Sequence, residues 1–175
     1  MNRLKIVLVG LPGSGKSTLG RELASQLGFA FYDLDDLIEE YKKMSIADIF
    51  YKEGEGYFRD LESDVLKVSL QGDEPIVLAT GGGTPCFNDN MEIINKFGVS
   101  VFLDVPISKV MSRLTENDRQ LRPLFQGLDA GEILAKLKNL HAARIHYYEQ
   151  AKIKLSGEDI PIELLISELM SHFKN

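Results

Sequence analysis

Gly10-Leu11-Pro12-Gly13-Ser14-Gly15-Lys16-Ser17 stands between residues 4–9, a run of aliphatic and β-branched side chains, and residues 16–26, where Leu19, Leu23 and Ala24 recur at helical spacing. The run reads as a buried strand, the octapeptide as a loop and the next segment as a helix. The octapeptide fits G-x-x-x-x-G-K-[ST], and its flanks are the ones that pattern needs. Glycines let the backbone curl until successive N–H groups point at one phosphate, and the helix start adds partial positive charge. Lys16 then reaches the terminal phosphates, while Ser17 offers a hydroxyl to the Mg²⁺ that offsets a triphosphate's charge. ATP with Mg²⁺ is the expected ligand, held through Gly13, Ser14, Gly15, Lys16, Ser17 and Thr18.

Outward from the loop, residues 29–33, 76–80, 99–105 and 153–155 read as further strands. Helical patterning fills 35–42, 53–70, 89–96, 108–114 and 129–151, and Pro161 opens a last helix through 173. Strands alternating with helices predict an α/β fold, a parallel sheet covered on both faces, because each parallel connection needs a crossover. Residues 115–128 are polar and poor in helical pattern, and we expect a mobile lid there.

The chain has 175 residues, enough for one domain spanning 1–175 that buries about 70% of its unfolded surface. A net charge of −6 disfavours broad docking onto nucleic acid or an anionic membrane, so an anionic ligand needs locally placed cations. Cys86, the single cysteine, cannot form an internal disulfide, and residues 1–10 lack the sections of a secretory signal. No apolar run approaches the roughly 20 residues of a membrane helix. A cytoplasmic location is the expectation. His141 and His146 lie about 140° apart on a helix, which argues against a shared metal. Cys86 reads as a packed thiol, and Tyr147 and Tyr148 as core and helix-face aromatics.

Asp33 and Asp35 end the second strand, and residues two apart in an extended chain point the same way, toward the edge where α/β sheets bind ligands. One carboxylate could orient metal-bound water and the other accept a proton from an attacking hydroxyl; equally, Asp35 stands where a helix N-cap falls. Gly81-Gly82-Gly83 follows the third strand, and such a triplet lets a ligand reach backbone N–H groups, although a tight turn is the simpler use. Glu62 lies one helical turn after Arg59 and can orient its guanidinium toward a carboxylate ligand, or the two can form an ordinary surface pair.

Taken together these residues resemble the shikimate kinase family. The carriers are the loop at 10–17, Asp33-Leu34-Asp35, Ile46-Ala47-Asp48-Ile49-Phe50, Gly54-Glu55 with Phe58-Arg59 and Glu62, the glycine triplet, Arg122-Pro123-Leu124, and Arg144 with Tyr147-Tyr148. The resemblance implies a nucleoside monophosphate kinase type of fold, a five-stranded parallel sheet in the order 2-3-1-4-5, with a substrate-binding helical region near 35–62. It implies transfer of the ATP γ-phosphate to shikimate, in the synthesis of aromatic amino acids through chorismate, by a monomer. Under it Asp35 holds the acceptor hydroxyls and assists deprotonation, and Asp33 acts on Mg²⁺ through water. Arg59 and Arg144 clamp the carboxylate with help from Gly81, Gly82 and Gly83, and Phe50 and Phe58 wall the ring. Arg122 meets the transferring phosphate from the lid, while Arg113 stacks on adenine with Pro161 nearby.

One departure stands out. Family members often carry proline two positions after the arginine matching Arg144, whereas this chain has His146, so the backbone there is expected to differ. Residues 76–80 hold no acid, which leaves the metal to Ser17 and waters, in keeping with the family. Rival readings are a gluconate or nucleoside monophosphate kinase, and a catalytically silent nucleotide-binding regulator. Arg59, Arg144 and the triplet favour a compact carboxylate acceptor, and a silent module would not need Lys16, Asp35 and Arg122 together.

Overall fold

The computed structural model describes residues 3–114, 125 and 127–174. Five strands, β1 (Lys5–Val9), β2 (Ala30–Asp33), β3 (Ile76–Ala79), β4 (Val99–Asp104) and β5 (Ile153–Ser156), form one sheet in the order β2-β3-β1-β4-β5. This is the order the resemblance implied. All pairings are parallel, with Val7 of β1 opposite Leu78 on one side and Ser100 on the other. The helices are α1 (Lys16–Leu27), α2 (Leu34–Lys42), α3 (Ile46–Gln71), α4 (Asn90–Phe97), α5 (Ile107–Arg113), α6 (Ala130–Tyr148) and α7 (Ile162–Lys174).

Alternation along β1 divides the core into two layers. Ile6 and Leu8 pack with Leu23 of α1, Val110 of α5 and Leu165 of α7, whereas Val7 and Val9 pack with Ile38 of α2, Leu66 of α3 and Ile94 of α4. Every residue of β1 and β3 is buried, as strands covered on both faces require. The edge strands differ: β5 alternates buried and exposed, and Tyr32 of β2 reaches solvent. Helix α6 contributes Ile133 and Leu137 to the first layer and Tyr148 to the second, so it spans both. It runs unbroken past His146 to Tyr148.

The main departure from the sequence reading is α3. A helix was expected from residue 53, yet it begins at Ile46, capped by the Ser45 side chain, which accepts from the Asp48 N–H. Gly54, at φ 81° and ψ 173°, interrupts it. That left-handed, extended backbone is open to glycine and strains other residues, and it hides the first turns from a search for continuous periodicity. The kink has a consequence for the site. Eight residues along a straight helix separate side chains by about 12 Å, but across Gly54 the rings of Phe50 and Phe58 stand 4.5 Å apart. The expected lid lies outside the described residues except for Phe125, Gly127 and Leu128, and Phe125 is fully buried in the core. No helix among the described residues is long and apolar enough to cross a membrane.

Candidate active site

The phosphate loop leaves β1 at its carboxyl end and enters α1 through Gly15, which holds φ 95° at the helix N-cap. Lys16 is almost wholly buried, and its Nζ donates to the carbonyl oxygens of Gly10 at 3.0 Å and Leu11 at 2.8 Å. The ammonium thus lies folded against its own loop. One residue on, Ser17 Oγ donates to Asp33 Oδ2 at 2.6 Å, joining the start of α1 to the end of β2.

Asp33 also caps α2, because its Oδ1 accepts from the Asp35 N–H at 3.1 Å. The capping role that the sequence left open for Asp35 therefore belongs to Asp33. The chain turns helical at Leu34, so the argument from extended alternation fails and the two carboxylates part. Asp33 goes to Ser17. Asp35 goes to the glycine triplet, where its Oδ1 lies 3.1 Å from the position a Gly81 side chain would begin. Burial first, then the Asp33 charge, hold the Asp36 carboxyl above its usual range, a sign of acid crowding at this end of the sheet.

Asp35, Arg59, Arg144, Phe50, Phe58 and all three glycines of the triplet line one cavity of about 520 Å³, together with Pro12 of the phosphate loop. Its size falls within the usual range for small-molecule sites. Arg59 is fixed from several directions. Its Nη1 donates to Glu62 Oε2 at 2.8 Å, its Nη2 to Glu55 Oε1 at 3.2 Å, and its Cζ lies 4.2 Å from the centre of the Phe87 ring. Because Glu62 is 1% exposed, the pair is not the loose surface contact that spacing alone allows.

The triplet serves close packing as well as any ligand. A Cβ on Gly82 would stand 2.6 Å from Pro12 Cδ and 3.1 Å from Pro12 N, and one on Gly83 would stand 2.9 Å from both Arg59 terminal nitrogens. The proline ring is tied to its backbone and cannot swing away. Gly82→Ala is accordingly expected to destabilise the fold by about 1–3 kcal/mol, measurable as a lower midpoint in urea at unchanged m-value.

Several residues of this cavity escaped the sequence reading. Lys136 and Leu140 line it beside Arg144, and stepping back from Arg144 by four and eight residues along one helix face would have found both. Tyr148, taken as a core aromatic, is buried but also donates from its hydroxyl to the Gly82 carbonyl at 2.5 Å. Burial pushes that phenol far above its ordinary range, so it stays protonated and a donor. No spacing rule links residues 82 and 148.

A second cleft, about 300 Å³, lies on the other side of the loop, lined by Ser14, Gly15, Thr18, Arg113, Asp159 and Ile160 among others. Arg113 bridges its walls, donating to the Ser14 carbonyl at 3.1 Å, the Glu158 carbonyl at 2.7 Å and Asp159 Oδ1 at 3.0 Å. Hydrogen bonds from Lys109 and Arg113 hold the Asp159 carboxyl below its usual range. Asp159 and Ile160 line the cleft, and Pro161, expected near the base, follows them in the chain and is exposed. Arg122 lies outside the described residues. Cys86 is half-buried near Arg144 and Arg59, and burial raises its thiol to about 11, so almost none is thiolate at neutral pH.

A phosphate loop with a nucleotide-sized cleft on one flank and an arginine-lined, aromatic-walled acceptor cavity on the other defines a small-molecule phosphotransferase of the P-loop class. Known proteins narrow this further. The shikimate kinase family model matches residues 12–174. A shikimate kinase from Bacteroides fragilis is 41% identical over 148 residues, covering 85% of this chain and 82% of that protein. The crystal structure of shikimate kinase from Bacteroides thetaiotaomicron superposes with a TM-score of 0.88 at 34% identity, covering 98% of this chain and 99% of the other. A shikimate kinase from Acinetobacter baumannii in complex with shikimate gives 0.84 at 32% identity, covering 99% and 94%. The chain belongs to the shikimate kinase family, whose members are ATP-dependent kinases.

Proposed function

We propose that this chain transfers the γ-phosphate of ATP to the 3-hydroxyl of shikimate, giving shikimate 3-phosphate and ADP. The observation that carries the reading is the convergence of Arg59, Arg144 and Asp35 on one cavity that opens onto Pro12 of the phosphate loop. Two planar guanidinium groups suit a carboxylate, which each can grip through paired N–H donors. Phe50 and Phe58 give a six-membered ring its walls, and the triplet lets hydroxyls approach backbone. Asp35, on the loop side of the cavity, orients the acceptor hydroxyl and takes its proton. Gly13, Ser14, Gly15, Lys16, Ser17 and Thr18 hold the phosphates, Arg113 borders the base, and Arg122 is assigned to the transferring phosphate.

Mg²⁺ belongs to the same proposal. The Ser17 hydroxyl and the Asp33 carboxylate stand side by side, 2.6 Å apart, and hard oxygen donors of this kind fit an ion that keeps most of its waters. Ser17 would ligate it and Asp33 would hold one of its waters; the ion would neutralise charge on the β- and γ-phosphates. Asp33 meanwhile keeps α2 capped, which fixes where Asp35 points. We place the protein in the cytoplasm, acting as a monomer without nucleic acid or membrane partners, in aromatic amino acid synthesis through chorismate. Support comes from the single Cys86 and the charge of −6.

A coupled ADP-release assay across shikimate, quinate, gluconate and nucleoside monophosphates tests this reading. Shikimate is expected to exceed every other acceptor in kcat/KM by at least about a hundredfold, since a site built for particular hydroxyls leaves buried groups unpaired with an analogue that lacks them. Faster turnover with gluconate or a nucleoside monophosphate would reassign the acceptor. Absence of turnover with every acceptor would make the chain a nucleotide-binding regulator.

A further inference from the structure

Behind the acceptor cavity runs a buried chain of polar side chains that the reading above does not use. Thr84, in the short 3-10 turn Thr84–Cys86 after the glycine triplet, is fully buried. Its Oγ1 donates to Glu62 Oε1 at 2.6 Å, while the other oxygen of that carboxylate accepts from Arg59 Nη1 at 2.8 Å. Thr84 is itself fixed. Its N–H donates to the Gly81 carbonyl at 3.2 Å, and its carbonyl accepts from Asn90 Nδ2 at 2.9 Å. Asn90 in turn accepts from Ser63 Oγ at 2.7 Å, and Asn90, Ser63 and Glu62 are each 1% exposed or less.

We infer that Thr84 is a positioning residue for the acceptor: its hydroxyl sets the plane of the Glu62 carboxylate, and through it the direction in which Arg59 presents its guanidinium to the cavity. A carboxylate with one bond can rotate about its terminal C–C axis, whereas one held on both oxygens by donors from different elements cannot. Orientation matters here because a guanidinium grips a carboxylate through a planar fork, and tilting the plane loses one of the two bonds. The Thr84 backbone N–H closes the turn after the triplet while its hydroxyl holds Glu62, so one residue links the triplet to the arginine. The inference rests on the proposed role of Arg59 as a carboxylate clamp.

Thr84→Val keeps the shape and removes the donor, leaving a buried carboxylate oxygen without that bond. It is expected to raise the KM for shikimate about tenfold while kcat and the KM for ATP move less than about threefold. Thr84→Ser, which restores the hydroxyl, should return the acceptor KM to within about threefold of the parent. In an Arg59→Ala background Thr84→Val should add nothing further, since the positioned group is gone; a merely structural contribution would multiply with it. An unchanged shikimate KM in Thr84→Val, equal loss for both substrates, or full additivity with Arg59→Ala overturns the inference. Thermal midpoints taken alongside separate loss of fold from loss of grip, and Thr84→Ala replaces the valine variant if that one does not accumulate folded. The two readings fail differently: an Arg59→Ala enzyme with normal shikimate KM sinks the clamp itself, whereas a damaged Arg59→Ala with an intact Thr84→Val sinks only the role of Thr84.

Discussion

Turnover is expected to fall by about two to four orders of magnitude in Asp35→Asn, with ATP binding near normal. The amide is nearly isosteric with the carboxylate, so the cavity keeps its shape. What disappears is the acceptor for the hydroxyl proton and the negative charge that raises the nucleophilicity of the attacking oxygen. The substitution should also spare the nucleotide side, because Asp35 lines the acceptor cavity and does not line the cleft beside Ser14 and Gly15. Nor should α2 unravel: the cap is the Asp33 side chain accepting from the residue 35 backbone N–H, which any residue but proline supplies. The checks are kcat from coupled ADP release and the ATP dissociation constant by calorimetry. Near-normal turnover would remove Asp35 from the mechanism, and loss of ATP affinity would mean that the two clefts are not independent.

Lys16→Met is expected to show a different pattern, with kcat down by about two to three orders of magnitude and ATP affinity lowered as well. Lys16 is 7% exposed, in surroundings where a fixed charge acts more strongly on a phosphate than it would in water. Methionine keeps an unbranched apolar stem one atom shorter and offers no donor, so the carbonyl oxygens of Gly10 and Leu11 also lose the partner that holds the loop closed on itself. The shikimate KM should move little, since Lys16 does not line the acceptor cavity. Titrating ATP and shikimate separately distinguishes this variant from Asp35→Asn. Retained kcat would assign the γ-phosphate charge to other cations.

The strand, loop and helix around 10–17 were legible because the requirement is local: a glycine-rich turn, a buried run before it and an amphipathic helix after it all lie within thirty residues. The pair Arg59 and Glu62 was legible for the same reason, three residues apart on one helix. The opening turns of α3 were not. Gly54 breaks the helical period, and the meeting of Phe50 with Phe58 across the kink is a contact made in three dimensions. The directions of Asp33 and Asp35 were inferred from strand alternation, and the helix starting at Leu34 turned them to different partners.

The amino-acid sequence alone determined the order of strands and helices, the phosphate loop and the pairing of Arg59 with Glu62, because periodicity, glycine spacing and short-range charge pairs are properties of neighbouring residues. Tertiary structure alone decided which of those residues share a cavity. Tyr148 meeting Gly82, Thr84 meeting Glu62 and Arg113 meeting Ser14 join segments 66, 22 and 99 residues apart. Such contacts follow from the order of the parallel strands, which brings the carboxyl ends of β1, β2 and β3 to one edge. Chain proximity carries no trace of them, since a buried donor and acceptor are matched by the packing of the sheet and its helices.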